Sequence, residues 1–160
     1  ADDLRVEPQR FTPFLRTLVH VVRNAIDHGL ERPEERVAKG KSPTGALRIE
    51  AHRARGGTEV CIGDDGAGID FEKLKQRALE RRMPANTHDE LVDALFADGV
   101  STRDEVSETS GRGVGLSAVL AECRRLGGQV SVENDHGARF RFWFPDQPTL
   151  VVVPPLAVGA

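Results

Sequence analysis

The chain has 160 residues, 39% apolar and 29% charged, which is enough material for one domain with a proper core. A net charge of -3 and a pI near 6.0, with Lys and Arg scattered among acids, leave no basic footprint and exclude nucleic acid as an expected partner. No apolar run approaches the roughly 20 residues that span a bilayer, and Ala1-Asp2-Asp3-Leu4-Arg5 lacks a signal-peptide pattern, so no membrane contact and a cytoplasmic location are expected.

Residues 1–12 read as a connector, with Thr12 as N-cap and Pro13 as first helical residue of the main helix. In that helix His20, Asn24 and His28 recur at i, i+4 and i+8, lining one polar face with Arg23 and Asp27 beside them. Leu15, Leu18, Val19, Val22, Ala25 and Ile26 fill much of the remaining circumference, so the helix is expected to be buried on most sides and to stop at Gly29. A buried amide between imidazoles must have partners, and a ligand is one such partner. Pro33 to Lys39 follows as a short charged helix ended by Gly40. Leu47, Ile49 and Ala51 alternate with Arg48, Glu50 and His52, and Val60 and Ile62 continue an apolar face after Gly56-Gly57, the pattern of an antiparallel hairpin. His52 falls on its solvated side. Cys61 and Cys123, without partners at metal-ligand spacing, read as reduced core residues rather than as catalytic ones.

Asp64-Asp65-Gly66-Ala67-Gly68-Ile69 is a glycine-rich turn, and Asp70 caps a helix through Leu74, Ala78 and Leu79. Thr87-His88-Asp89-Glu90 is a capping box opening another helix through Leu91, Leu95 and Phe96, which leaves His88 at the surface. Ala97 to Thr109 is small and polar, a mobile segment without a core of its own. Gly111-Arg112-Gly113-Val114-Gly115 leads into a helix with Leu116, Val119, Leu120 and Cys123 inward, closed by Gly127-Gly128. Two strands follow, Gln129 to Glu133 and Ala138 to Phe144, around a turn that exposes His136. Pro145 ends a domain spanning 13–146, and 147–160 forms an apolar tail or the start of a following domain. The expected fold is of α+β class, a two-layer α/β sandwich whose mixed sheet is covered by helices on one face, with a mobile loop across the site.

Two constellations carry chemistry. Asp64 at a strand end can accept a hydrogen bond from an exocyclic amine, which adenine offers and guanine replaces with a carbonyl; glycines let a flat ring approach the main chain. Gly111-x-Gly113-x-Gly115 follows a flexible loop instead of a strand and lacks a third glycine at dinucleotide spacing, so a Rossmann site is rejected. Placed before a helix, it presents backbone amides and a positive helix end to a phosphate chain.

Together these features resemble the nucleotide site of the gyrase, Hsp90, histidine kinase and MutL superfamily, whose ATP-binding fold is of Bergerat type. More closely, His20-x-x-x-Asn24-x-x-Asp27-His28-Gly29, Asp64-Asp65-Gly66-Ala67-Gly68-Ile69, Phe96-Ala97-Asp98-Gly99-Val100-Ser101-Thr102 and Ser110-Gly111-Arg112-Gly113-Val114-Gly115 resemble the catalytic domain of CheA-type chemotaxis histidine kinases. The resemblance implies binding of ATP with Mg²⁺ and transfer of the γ-phosphoryl group to a histidine. Asn24 matches the metal-holding asparagine, and His20 stands where ATP-hydrolysing relatives carry a glutamate base. His28 and Lys73 match phosphate contacts, and Asp64, Gly66 and Gly68 match the adenine end. Asp27, with Arg23, either contacts nucleotide or supports its neighbours. Ser101, Thr102 and the amides from Gly111 to Gly115 are partners for the phosphates; Arg112 either reaches them or stands solvated on the lid.

The sequence departs from the family pattern at Asp98 and Val100, which replace a proline and a phenylalanine of the lid, and at Ala138, which replaces a threonine near adenine. None of His20, His28, His52, His88 or His136 lies on a helix resembling the phosphorylated module, so the phosphoacceptor belongs to another domain or chain. A downstream response regulator, and dimerisation and coupling domains outside this chain, complete the partners that the resemblance implies. The competing functions are a conformational ATPase of gyrase or MutL type, a protein-serine kinase, and a nucleotide-binding module without catalysis.

Overall fold

The structure, a computed structural model, describes residues 8–98, 100 and 115–146. Alternating apolar residues build four strands, β1 (Leu47–Ala54), β2 (Gly57–Asp64), β3 (Gln129–Asn134) and β4 (Ala138–Pro145), in the order β1-β2-β4-β3. Gly56, at φ 72°, turns β1 into β2, and the turn containing His136, at φ 60°, returns β3 to β4. With β2 antiparallel to β4 as well, the expected mixed sheet is an antiparallel one among the described residues.

Side-chain alternation sets the two faces. Thr58, Val60 and Ile62 of β2 and Ala138, Phe140, Phe142 and Phe144 of β4 lie under the helices, while Glu59, Cys61, Arg139 and Arg141 point the other way. Cys61 is therefore on the open face and only half-buried, correcting its placement in the core; Cys123 is buried as expected. β1 is the edge strand. Its Ile49 is in register with buried Ile62 and so lies on the helical face, yet it is 56% exposed because the helical layer does not extend over it.

Helix α1 (Pro8–Asn24) lays Phe11, Phe14, Leu18 and Val21 on the sheet, with the Phe14 ring edge-on to Phe144 at 4.7 Å and to Phe142 at 5.2 Å. It starts before Thr12-Pro13: Pro13 sits inside the helix, where burial of Phe11 and Phe14 on either side outweighs the lost hydrogen bond. Nor is α1 buried on most sides. Leu15, Val19 and Ile26 are exposed, so the apolar circumference faces the core along one stripe only.

The remaining helices are α2 (Pro33–Ala38), α3 (Phe71–Glu80), α4 (His88–Phe96) and α5 (Leu116–Arg125). Asp70 caps α3 by accepting from the Lys73 amide, and Thr87 with Glu90 forms the expected capping box of α4. His88 is exposed and its Nε2 lies 2.7 Å from the Val132 carbonyl. Val100, expected in the lid, is buried in the core. Most of the expected lid, 99 and 101–109, and the tail 147–160 lie outside the described residues. At the far end of the domain, Arg10 of α1 donates to the Pro145 carbonyl at 2.9 Å and to the Asp146 carbonyl at 3.4 Å, and Arg53 pairs with the Asp146 carboxylate.

Candidate functional site

Beyond Asn24 the backbone winds as a π turn over Ala25–Gly29, with the Leu30 amide donating to the Ala25 carbonyl five residues back at 2.9 Å. The wider turn removes His28 from the position one α-turn above Asn24, so the three residues do not form the continuous face expected from i, i+4, i+8 spacing. His20 is half-buried, and Asn24, Asp27 and His28 are exposed. The premise of a buried amide therefore fails: this polar row is available to a ligand because it is open, not because burial forces a partner on it. Asn24 makes no side-chain capping bond to the π turn, which leaves its amide available to a cation or phosphate.

The strand end is built differently. Asp64 Oδ1 accepts from the Gly66 amide at 2.9 Å and from the Ala138 amide at 3.2 Å, so β4 and the following turn fix the carboxylate from both sides. Its Oδ2 faces Gly29, where an added Cβ would stand 3.2 Å away. A Cβ on Gly66 would meet the Gly29 carbonyl at 2.0 Å, and one on Gly137 would meet the Asp64 carbonyl at 2.1 Å. These glycines are required because three backbone segments touch here, a use beyond the expected one of admitting a ring to the main chain. The Ala67 amide donates to the Gly29 carbonyl at 2.9 Å, joining the π turn directly to the Asp64 turn. Ile69, which follows Gly68 at φ 77°, is held by Asn134: Oδ1 accepts from the Ile69 amide at 2.8 Å and Nδ2 donates to the Ile69 carbonyl at 2.9 Å.

The end of the π turn, at Gly29, thus meets the turn from Asp64 to Gly68. Lys73 lies in the first turn of α3 and is half-buried. Gly115 precedes α5, with no atom of the described residues within 4 Å of where its Cβ would be. Ser101, Thr102, Gly111, Arg112 and Gly113 lie outside the described residues.

Sequence reasoning missed the support behind Asp64. Arg36, in a helix of six residues too short to show a face, is 1% exposed and lies among Glu31, Lys41 and Asp65. Lys41 beside it holds the Glu31 carboxyl down to about 2. Partial burial pushes the Asp65 carboxyl up, but the Ala46 amide and the Arg36 guanidinium outweigh it and leave the group below its ordinary value. Elsewhere, His52, Glu59 and Cys61 converge on the open sheet face, with His52 Nε2 and Cys61 Sγ each 3.3 Å from Glu59 Oε1. Hydrogen bonding accounts for that group, and Arg139 and Arg141 beside Cys61 disfavour a cation. Burial and Glu59 push the Cys61 thiol up to about 11, and burial pushes Cys123 to about 12, so neither is poised as a nucleophile.

The family model of histidine kinase-, DNA gyrase B- and HSP90-like ATPases matches residues 14–148. The chain belongs to this ATPase family. It is 42% identical over 145 residues to the chemotaxis protein CheA of Rhizobium meliloti, covering 88% of this chain and 19% of that protein. It is 37% identical over 147 residues to the chemotaxis protein CheA of Bacillus subtilis, covering 88% of this chain and 22% of the relative. The chain thus spans about a fifth of the length of these relatives. Among solved structures, the catalytic domain of histidine kinase ThkA in a nucleotide-free form matches with a TM-score of 0.54 at 23% identity, over 92% of this chain and 74% of that one. That likeness bears out the two-layer α+β fold. Membership of the ATPase family makes ATP the nucleotide of this domain, and no helix among the described residues is long and apolar enough to cross a membrane.

Proposed function

We propose that this chain is the ATP-binding catalytic domain of a CheA-like histidine kinase, passing the γ-phosphoryl group of Mg²⁺-ATP to a histidine on another domain or chain. The observation that carries the reading is the fixed carboxylate at Asp64. Two amides occupy Oδ1 and Oδ2 faces Gly29, at the position that matches the adenine-reading aspartate of the family. A carboxylate held that way accepts a hydrogen bond from an exocyclic amine and repels the carbonyl that guanine presents.

Half-buried His20 and exposed Asn24 and His28 then supply the phosphate side, with Lys73 and the α5 end at Gly115 completing its cationic and amide groups. Mg²⁺ prefers oxygen ligands and keeps several waters; Asn24 is the residue that would hold it, its uncapped amide oxygen suiting a hard cation shared with phosphate oxygens. The metal supplies charge neutralisation. Transfer to an imidazole needs positioning and charge stabilisation more than a base, because a neutral ring nitrogen already carries the attacking lone pair. That nitrogen forms the new bond to γ-phosphorus as the bond to the β-bridging oxygen breaks and ADP leaves. His20, in place of the carboxylate base of hydrolysing relatives, orients the γ-phosphate without activating water. A phosphoacceptor domain and a downstream response regulator are the partners this chemistry requires.

The test mixes the domain with acceptor-histidine modules and labelled ATP. Acid-labile, alkali-stable label on the acceptor is the expected product. Acid-stable label would indicate a hydroxyl acceptor, and release of phosphate without labelling would indicate a conformational ATPase.

A further inference from the structure

Arg36 is a buried guanidinium whose entire hydrogen-bonding capacity is spent immediately behind Asp64. Nε donates to the Ser42 carbonyl at 2.7 Å; Nη1 donates to Glu31 Oε2 and to the Asp65 carbonyl, both at 3.2 Å; Nη2 donates to Asp65 Oδ2 at 2.7 Å and to the Thr44 carbonyl at 3.4 Å. Lys41 completes the arrangement from the same segment. Its Nζ donates to Glu31 Oε1 at 3.0 Å, to the Asp65 carbonyl at 2.9 Å and to the Gly66 carbonyl at 2.8 Å. Asp65 is held at every polar atom: its amide donates to the Ala46 carbonyl at 3.2 Å and its Oδ1 accepts from the Ala46 amide at 2.8 Å.

A buried ionic cluster is a poor way to gain stability, since apolar side chains of equal volume serve as well or better, so its placement is the informative feature. Besides those of Ser42 and Thr44, the carbonyls it grips belong to Asp65 and Gly66, the two residues that follow the base-reading carboxylate. Holding those carbonyls fixes the direction of the Gly66 amide, which in turn holds Asp64 Oδ1. The clasp also begins at Glu31, two residues after Gly29, so one short segment fastens the π turn to the strand end.

We propose that Arg36, Glu31 and Lys41 form a positioning clasp that sets the orientation of Asp64 and thereby the adenine preference of the nucleotide site, without touching nucleotide. The proposal rests on the nucleotide reading given above. Guanidinium geometry is essential to it, because only a planar fork reaches Ser42, Glu31 and both ends of Asp65 at once; lysine keeps the charge and loses the fork.

The variants are Arg36→Lys and, on the more accessible side of the cluster, Lys41→Met, which leaves the Arg36–Glu31 and Arg36–Asp65 pairs in place. Calorimetry with ATP, GTP and Mg²⁺-tripolyphosphate separates the base end from the phosphate end, and amide hydrogen exchange in the nucleotide-free protein reads the Gly66 and Ala138 amides directly. The expected result is a loss of ATP affinity of roughly 10-fold, the scale of a displaced charge-assisted hydrogen bond, a reduced ATP-to-GTP ratio, and tripolyphosphate affinity within about 2-fold of the parent, well under that loss. Faster exchange at Gly66 and Ala138 should accompany it, without faster exchange across β3 and the rest of β4. Folded variants that keep the parental ATP-to-GTP ratio overturn the clasp while leaving the nucleotide site standing. Equal loss of ATP and tripolyphosphate binding with faster exchange throughout the sheet also overturns it, since that is a general structural role. A parent chain that does not bind ATP overturns the nucleotide reading and the clasp with it.

Discussion

The two ends of the proposed nucleotide site are made of different materials. Around Asp64 the contacts are backbone amides, carbonyls and glycines whose missing side chains let three segments touch. Around Asn24 they are side chains standing open on a helix end and a π turn. Reading a base rewards a carboxylate that does not move, because discrimination depends on denying the wrong base any accommodation. Handling a phosphoryl group that changes geometry as it transfers rewards ligands that can follow it. The contrast predicts that substitutions at the open end impair chemistry and spare the fold, whereas those at the closed end impair both.

The largest effects belong to the open end. His20→Ala should reduce transfer by something like 10²- to 10⁴-fold, as for a positioned acid-base group, while nucleotide still binds through Asp64. Asn24→Ala should abolish Mg²⁺-dependent transfer. Asn24→Ala should melt within a degree or two of the parent, since substitutions at surface positions typically cost less than about 0.5 kcal/mol, and half-buried His20→Ala should stay folded; normal single-turnover transfer in either would place the phosphate ligands elsewhere. At the closed end, Gly66→Ala drives a Cβ against the Gly29 carbonyl at 2.0 Å, a contact backbone must move to relieve. A cost of about 1 to 3 kcal/mol or more is expected in denaturant unfolding, together with weaker ATP binding, whereas Gly115→Ala, which meets no atom of the described residues within 4 Å, should leave stability unchanged. Equal behaviour of the two glycine variants would erase the contrast.

Asp64→Asn isolates the base. The amide oxygen can still accept from Gly66 and Ala138, but the cleft then sees an NH₂ group, so ATP should weaken by about 1 to 3 kcal/mol while GTP gains; competition binding reads both. The smallest effect is on acid stability. Glu31 is ionised in the folded chain down to about 2 rather than its ordinary 4.5, so the stability it contributes is complete above about 4.5 and is lost as pH falls toward 2. Lys41→Met should flatten the acid limb of the unfolding curve in that window.

The fold was legible wherever hydrophobic period and cap chemistry agreed: both hairpins, the Asp70 and Thr87 caps and the inward face of α5 follow directly from the sequence. It was illegible where long-range packing overrode a local signal. Pro13 reads as a helix start because nothing nearby tells that Phe11 will bury on β4. The π turn has no sequence mark, so the His20, Asn24 and His28 row looks continuous when it is not. Asp64 could be singled out, but not the Ala138 amide that holds it, 74 residues away. Arg36 is the clearest omission, since a charged residue in a six-residue helix reads as solvated, and only the tertiary structure shows five carbonyl and carboxylate oxygens of Glu31, Ser42, Thr44 and Asp65 converging on it.

The Arg10 tie has a consequence for how such a domain can be carried within a larger polypeptide. Because the start of α1 and the end of β4 are fastened together by bonds to Pro145 and Asp146, the backbone leaves the fold at the corner where it arrived. A unit with its two ends side by side can be spliced into a host loop, or closed by a short linker and reopened at the Gly56 turn, without pulling its own sheet apart. Evolution can move such a cassette between architectures as a whole, and any tension transmitted along the host chain would be felt first at Arg10 and Arg53.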